Sequence, residues 1–486
     1  MIVSGRSRSR SALRGAAAFV LIMLAAARAS ATPLVAPQTG GLVFVGPTSA
    51  HPSAIFWNPA AAGLQRGTHF HLAAGVDLRR TTIERAPIDT RTGEPASSAA
   101  ASTTQTFAPV TTSPLTPGGF AGVTSDLDTD RVTLGVAVYT PFAEELAPNE
   151  DALRYHARGG SFYAPYGTLS VSFRAASTIL LGAGLSAVYP RVDLRFARDV
   201  ALGDCNGTTA CAETDAATQR YDLTTGWQRI TPDAISFNAG AMVKLSDRLW
   251  LAAAYHSPPS STASSTTAIP SAGGVVIDPA PHEASPASGD ARVTFHLPQM
   301  VQAGARVTLL PGRWFLHAGL RWVDLSTHRD LDLRVAGPEV RALDAPEWLV
   351  RYRGLRDLWA VDVGVEQPAG GTLRVGARLR LENGAVPESH VAPNQIDGPS
   401  ATVAAGLEFR LTPTLALSLQ GTVGALLPRT VDPGVFTPSG EFDCTSSGYD
   451  LDRCIPAREG RALPSAAGDY NSTTFGLLVA LSYDRL

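Results

Sequence analysis

Hydrophobic side chains recur at every second position through most of this chain. Neighbours in a strand point to opposite faces, so such alternation commits a segment to a sheet with one oily side. Leu373, Val375, Ala377, Leu379 and Leu381 share one face, and Thr372, Arg374, Gly376, Arg378 and Arg380 share the other. The same rhythm runs through Val301–Leu309, Trp314–Trp322, Val403–Leu411 and Leu415–Leu419. Alternation by itself also fits a sheet that rests on a core and faces water. The connections separate the two cases. Six are tight: 126–130, 175–178, 246–248, 310–312, 367–371 and 411–413. Between them lie long polar or Pro-rich segments at 80–116, 141–164, 199–228, 258–290, 335–356, 384–397 and 427–468. Seven long and six short connections in strict alternation join fourteen strands. An up-and-down transmembrane barrel sorts its loops this way, and a sandwich has no reason to. Trp250, Trp314, Trp322, Trp359, Tyr139, Tyr189 and Tyr483 fall near strand ends, where interfacial girdles sit.

The N-terminus is consistent with that compartment. Arg6, Arg8, Arg10 and Arg14 precede a twelve-residue apolar run, Ala16 to Ala27, and Ala29-Ser30-Ala31 is a small-residue cleavage site. Residues 1–31 therefore read as a cleaved secretory signal, too short for a membrane anchor. Its removal takes away five Arg and shifts the formal charge from −3 to −8, so no basic surface for nucleic acid is expected. No later stretch is apolar for long enough to form a spanning helix, which leaves a soluble exported protein or an outer-membrane barrel. Cys205 and Cys211, and Cys444 and Cys454, fall in long outer segments. An oxidising compartment favours two loop-closing disulfides over metal binding, since neither spacing is C-x-x-C and no His cluster accompanies them.

Residues 32–66 differ from the rest. They lack alternation, contain Pro33, Pro37, Pro47, Pro52 and Pro59, and yet include Phe44, Ile55, Phe56 and Trp57. A segment so apolar needs burial, and the bore of a fourteen-stranded barrel is the place available. The expected organisation is a leader at 1–31, a plugging segment at 32–66 and an antiparallel transmembrane β-barrel at 67–486.

Ser53-Ala54-Ile55-Phe56-Trp57-Asn58-Pro59-Ala60, after a Gly-rich opening, resembles the N-terminal hatch of FadL-type outer-membrane transporters. Gly135 to Phe142, Leu297-Pro298-Gln299, Trp322 to Ser326 and Leu373 to Pro387 resemble that family's third, eighth, ninth and eleventh strands. The resemblance implies passive passage of long-chain fatty acids or aromatic hydrocarbons across an outer membrane whose lipopolysaccharide resists them. No G-x-S-x-G and no local Ser/His/Asn set occurs, so no enzymatic activity and no cofactor are expected, and the chain is expected to be a monomer surrounded by outer-membrane lipid. The resemblance also implies that Asn58, Pro59 and Ala60 hold the hatch. Release would run sideways at a third strand broken by Thr140-Pro141, and Arg334 would be a contact for a ligand carboxylate. The closing Tyr483-Asp484-Arg485-Leu486 departs from the usual terminal Phe or Trp.

Two other readings stand beside this one: a porin for polar solutes, favoured by the arginines on the inner face, and a structural or adhesive barrel. Inward Arg306, Arg321, Arg374, Arg378, Arg380 and Arg410 are expected to pair with acids such as Asp362, Glu366 and Glu408. Gly182-Ala183-Gly184-Leu185-Ser186-Ala187 imitates a dinucleotide fingerprint, but strand alternation resumes where a helix is required. Asp126, Asp128 and Asp130 lack the Gly and Glu of a calcium loop. His69 and His71 share a strand face without a third metal ligand.

Overall fold

The computed structural model describes residues 39–89, 96, 104–145, 153, 156, 159–199, 219–227, 234–262, 265–279, 287–310, 314–342, 348–369, 371–432, 441–443, 455–456 and 465–485. Fourteen antiparallel strands close into a barrel. They are β1 (Thr68–Arg85), β2 (Leu115–Ser125), β3 (Val132–Glu145), β4 (Gly160–Ala176), β5 (Ile179–Val188), β6 (Ala234–Ser246) and β7 (Leu249–His256). The second half comprises β8 (Met300–Leu310), β9 (Trp314–Val323), β10 (Leu358–Pro368), β11 (Leu373–Glu382), β12 (Ser400–Arg410), β13 (Leu415–Leu426) and β14 (Gly468–Arg485). Each strand pairs with its successor, and β14 closes on β1 in unbroken register from Thr68↔Arg485 to Arg85↔Gly468. Closure removes the open edge that a sheet cannot leave unpaired in hydrocarbon.

The side-chain period then divides the wall. Leu169, Val171, Leu185, Phe237, Val361, Val363, Leu379, Leu477 and Val479 all stand exposed on the outer face. So continuous an apolar band is unstable in water and fits a lipid surround. Thr168, Ser170, Ser172, Ser236, Asn238, Gln302, Arg321, Arg378 and Gln420 are buried on the inner face. Trp322 and Trp359 pair at one end of the barrel, and Phe70 and Tyr483 pair at the other, each with ring centroids 6.2 Å apart. This is the girdle arrangement expected at two interfaces.

All six tight connections join the strand pairs expected of them, at the end where β1 begins and β14 finishes. The long segments are less loop-like than their composition suggests. Arg191–Asp199, Gln219–Trp227, Ala268–Pro279, Ala287–His296, Asp330–Ala336 and Trp348–Tyr352 form an antiparallel extension beyond the outer rim. These segments carry an alternation of their own. Ile269, Val275, Val293, Phe295, Leu331, Leu333, Val335 and Val350 are buried in a cap over the mouth. The leader 1–31 and all four cysteines, Cys205, Cys211, Cys444 and Cys454, lie outside the described residues.

Candidate functional site: an occupied bore and a gap in the wall

Residues 39–64 lie inside the barrel. One helical turn, α1 (Ala54–Trp57), is followed by a 3-10 segment, Pro59–Leu64, and every residue from Pro52 to Gly63 is buried. Proline at the first position supplies the φ that the 3-10 segment needs. Asn58 stands between the two in extended geometry, and its Oδ1 accepts from the Ala60 N–H at 3.1 Å. Its Nδ2 donates to Pro47 O at 3.0 Å and across to Ala241 O on β6 at 3.2 Å. One side chain thus caps the turn, ties the segment to itself and ties it to the wall.

The wall reciprocates with polar groups aimed at the segment's backbone. Asn238 Nδ2 donates to Ile55 O at 2.8 Å, Ser172 Oγ to Ala60 O at 2.9 Å and Arg174 to Gly63 O at 2.6 Å. Gln420 Oε1 accepts from both Leu42 N and Val43 N, at 3.0 and 2.9 Å. Backbone can approach this closely because the wall is notched. Gly182 on β5 and Gly240 on β6 are direct cross-strand partners. A Cβ on Gly182 would overlap Pro59 C and Ala60 N, and one on Gly240 would overlap Asn58 Oδ1. A second pair, Gly376 and Gly406 on β11 and β12, lies under Val43 and Phe44, where added Cβ atoms would stand 2.7 to 2.9 Å from those side chains. Gly182 of the supposed dinucleotide fingerprint is therefore a seat residue, and Gly184 leaves room for the Asn238 side chain.

The second feature is a break in the wall. β2 and β3 pair only from Ser125↔Leu134 to Phe120↔Tyr139. Beyond that point Leu115 to Gly119 continue on β1 but have no ladder partner on β3. β3 stays with β4 and shifts register between Tyr139 and Phe142, so Thr140 and Pro141 form the bulge. Proline cannot donate to a ladder, and a bulge bends the strand that contains it. Alternate burial gives way to four consecutive buried residues, Pro141, Phe142, Ala143 and Glu144, as the strand turns into the lumen. Aromatic rings flank the break. Phe120 stacks on Tyr139 and Tyr139 on Tyr166, each at 5.8 Å, and Phe56 of the plug lies 5.3 Å from Tyr139.

Three of the six arginines expected in the lumen, Arg321, Arg374 and Arg378, pair with acids. Arg374 meets Glu366 at 2.7 Å and Glu408 at 3.3 Å, Arg378 meets Asp362 at 3.0 Å, and Arg321 meets Glu382 at 2.9 Å. Arg306 stacks on Phe315 at 4.3 Å. Arg410 departs from its expected place in the lumen: it is exposed at the last position of β12, where the strand runs into its turn. Arg334 is half-exposed on the cap, stacked on Trp348 at 4.0 Å and 3.6 Å from Asp332. The Asp126–Asp130 segment is a turn, with the Asp128 N–H on Asp126 Oδ1 and Arg66 paired to Asp130 at 3.1 Å. His69 contacts Asp484 at 2.7 Å and His71 contacts Ser482 at 2.9 Å. Among the described residues no group of three or more ligating side chains is arranged to hold a metal.

Above the plug, the segment 383–399 folds inward between β11 and β12, and Asp397 is fully buried there. Its Oδ2 accepts from Ala385 N at 2.5 Å, and burial pushes the carboxyl up from 3.8 to about 7 despite nearby Arg79. The folded segment therefore holds a proton that the opened segment releases, and its stability declines as pH rises from about 4 through about 7. Hydrogen-exchange protection of the Ala385 amide, corrected for intrinsic rate, is expected to fall about 10- to 100-fold between pH 5 and pH 8. Asp397→Asn is expected to flatten that profile.

A closed barrel with an apolar exterior and an occupied bore defines an outer-membrane channel protein. Comparison with known proteins agrees. The chain belongs to the family described as outer membrane protein transport protein (OMPP1/FadL/TodX), whose profile matches residues 27–420. That is a family of transporters rather than enzymes. Among solved structures, a Pseudomonas aeruginosa FadL homologue superposes with TM-score 0.65 at 17% identity, covering 94% of this chain and 100% of that one. The P. putida toluene transporter TodX gives TM-score 0.58 at 12% identity, covering 93% and 98%. The Ralstonia pickettii toluene transporter TbuX gives 0.56 at 12%, covering 93% and 98%. No curated protein matches the chain.

Sequence pattern marks Asn58, Pro59, Ala60, Thr140 and Pro141, and the fold brings the first three to the wall notch and the last two to the break. It does not mark Gly240, Asn238, Ser172, Gln420 or Glu144. The available signal was small or amide residues at inward positions in mid-strand, where a barrel without a plug would place bulkier groups.

Proposed function

We propose that this protein carries hydrophobic compounds, long-chain fatty acids or aromatic hydrocarbons, passively across the outer membrane. The ligand enters under the outer cap, meets the plug and leaves sideways between β2 and β3 into the membrane. Residues 32–66 act as the hatch, with Asn58, Pro59 and Ala60 as its anchor, and the Thr140-Pro141 bulge makes the exit. The observation that carries this reading is the end of the β2–β3 ladder at Phe120↔Tyr139, beside a bore that is filled by the chain's own segment. An apolar solute gains nothing from a water-filled pore. It gains from aromatic walls that shield it until it reaches lipid, because the driving force is removal of apolar area from water. The toluene-transporting neighbours point the same way on substrate class.

The porin reading draws on the lumenal arginines, but the pairing of Arg374, Arg378 and Arg321 with Glu366, Glu408, Asp362 and Glu382 reduces the free field that a polar solute would sense. The test is uptake of labelled oleate and labelled toluene by cells that depend on this protein. Uptake is expected in the native chain and lost when residues 39–60 are deleted, while liposomes with the native protein stay impermeable to sugars. Sugar-driven swelling with the native chain, and no uptake of either apolar probe, would replace this reading with the porin.

A further inference from the structure

A strand that leaves its neighbour gives up ladder hydrogen bonds and needs something to hold it away. The bulge at Thr140-Pro141 allows β3 to bend, but it does not fix where the freed end goes. That end keeps its ladder with β4 as far as Glu145↔Ser161, and Glu144 ties it to the stretch before β10. The Glu144 carboxylate is buried and accepts two hydrogen bonds from one guanidinium nitrogen of Arg353, at 3.1 and 3.3 Å. Arg353 is buried too, and two further donors are committed. One points at His328 Nε2 at 3.1 Å, and Nε donates to Gln395 Oε1 at 3.1 Å. The Arg353 backbone N–H donates to Arg329 O at 2.7 Å, and Gln395 Nε2 returns a bond to Arg353 O. His328 Nδ1 lies 2.5 Å from His296 O, and burial next to Arg353 pushes its pKa down to about 3. The ring is therefore neutral, with a hydrogen on Nδ1 and a lone pair on Nε2 facing the guanidinium.

Arg353 thus sits at a node of four segments: β3, the stretch after β9, the stretch before β10 and the inward segment between β11 and β12. Arg79 of β1 also faces this node and donates to Ile396 O, with Asp397 beside it. We propose that Arg353 is a positioning residue whose grip on Glu144 holds the upper end of β3 inside the lumen, keeping the wall open between β2 and β3. A buried ion pair is a strong choice for this purpose. It is held by geometry, and loss of either partner leaves an uncompensated charge that drives the strand to a new position. The inference rests on the lateral-exit reading for its purpose, but its geometry is tested separately.

In a background with Cys205, Cys211, Cys444 and Cys454 replaced by serine, spin labels are placed at Gly118→Cys and Thr140→Cys, on the two sides of the gap. Pulsed dipolar spectroscopy reads their separation in detergent-purified, full-length protein whose heat-modifiable electrophoretic mobility shows a folded barrel. Arg353→Met is expected to move the distribution to shorter distances, toward direct strand pairing with backbones about 4.8 Å apart. Uptake of labelled toluene and oleate is expected to be lost in parallel, and Arg353→Lys is expected to restore part of both. If Arg353→Met does not fold, Glu144→Gln, which keeps a hydrogen bond and drops the charge, is expected to give a partial shift. An unchanged distance distribution in whichever folded variant is measured overturns the latch. A shortened distance in a protein whose native form takes up neither probe keeps the latch and removes the transport reading.

Discussion

Replacing Gly240 with valine, alone and together with Gly182→Val, is expected to turn a closed barrel into one that conducts ions. The two glycines face each other across β5 and β6 and form a notch in which Asn58, Pro59 and Ala60 rest. A Cβ at 240 would occupy the place of Asn58 Oδ1, and one at 182 the place of Pro59 C and Ala60 N. The wall cannot retreat, because both residues are locked in ladders on either side. The plug has to lift instead. It would lose the Asn58 bond to Ala241, the Asn238 bond to Ile55 and the Ser172 bond to Ala60. Overpacking of this kind costs about 1–3 kcal/mol per site, or roughly 5- to 150-fold in the ratio of seated to displaced plug. Planar-bilayer recordings should show long open events in the double variant and rare ones in the native protein. Gly167→Val, where an added Cβ meets nothing within 4 Å, is the control and should stay closed. A silent, folded double variant would mean that the 39–64 segment does not depend on this notch to block the bore.

The contrast between what the residues disclosed and what the fold supplied has a physical basis. Strand membership follows from a local, period-two rule, so β8, β9, β11, β12 and β13 could be read from their own residues, as could the sorting of turns to one end. The seat is different because it is a property of register. That Gly182 faces Gly240, or Gly376 faces Gly406, depends on how far neighbouring strands slide, and no single strand records that. The cap was hidden for another reason. Its strands overlap Pro- and Ser-rich segments such as 258–290, where composition argues for loop while Ile269 and Val275 keep a weak alternation. The latch was out of reach altogether, since Glu144 and Arg353 are 209 residues apart and neither sits in a recognisable motif. Thr140-Pro141 lay between these cases. A proline near a strand end reads equally as an ordinary stop, and only the loss of the β2 partner beyond Tyr139 makes it a break.

Arg374→Met is expected to destabilise the barrel by about 3–5 kcal/mol, the cost of leaving a buried charge without its partner. Glu366 is 2% exposed and is gripped by two Arg374 nitrogens at 2.7 and 3.1 Å, with His317 a further 3.0 Å away. The same guanidinium reaches Glu408 at 3.3 Å, and it lies 4.6 Å over the Phe44 ring of the plug. One substitution therefore strips two carboxylates of their arginine and loosens the plug at the notch beneath Phe44. The measurement is the denaturant midpoint of the folded, heat-modifiable band. Adding Glu366→Leu and Glu408→Gln to Arg374→Met should return most of the loss, because removing all the charges together leaves nothing to desolvate unpaired. This result also decides what the arginine-rich wall is for. If the arginines lined a wet, selective pore, their pairs would be screened like surface salt bridges worth about 0–1 kcal/mol, and Arg374→Met would alter ion selectivity while the midpoint stayed put. A large fall in the midpoint, reversed by the triple variant, identifies the wall as the inner surface of a packed joint between barrel and plug.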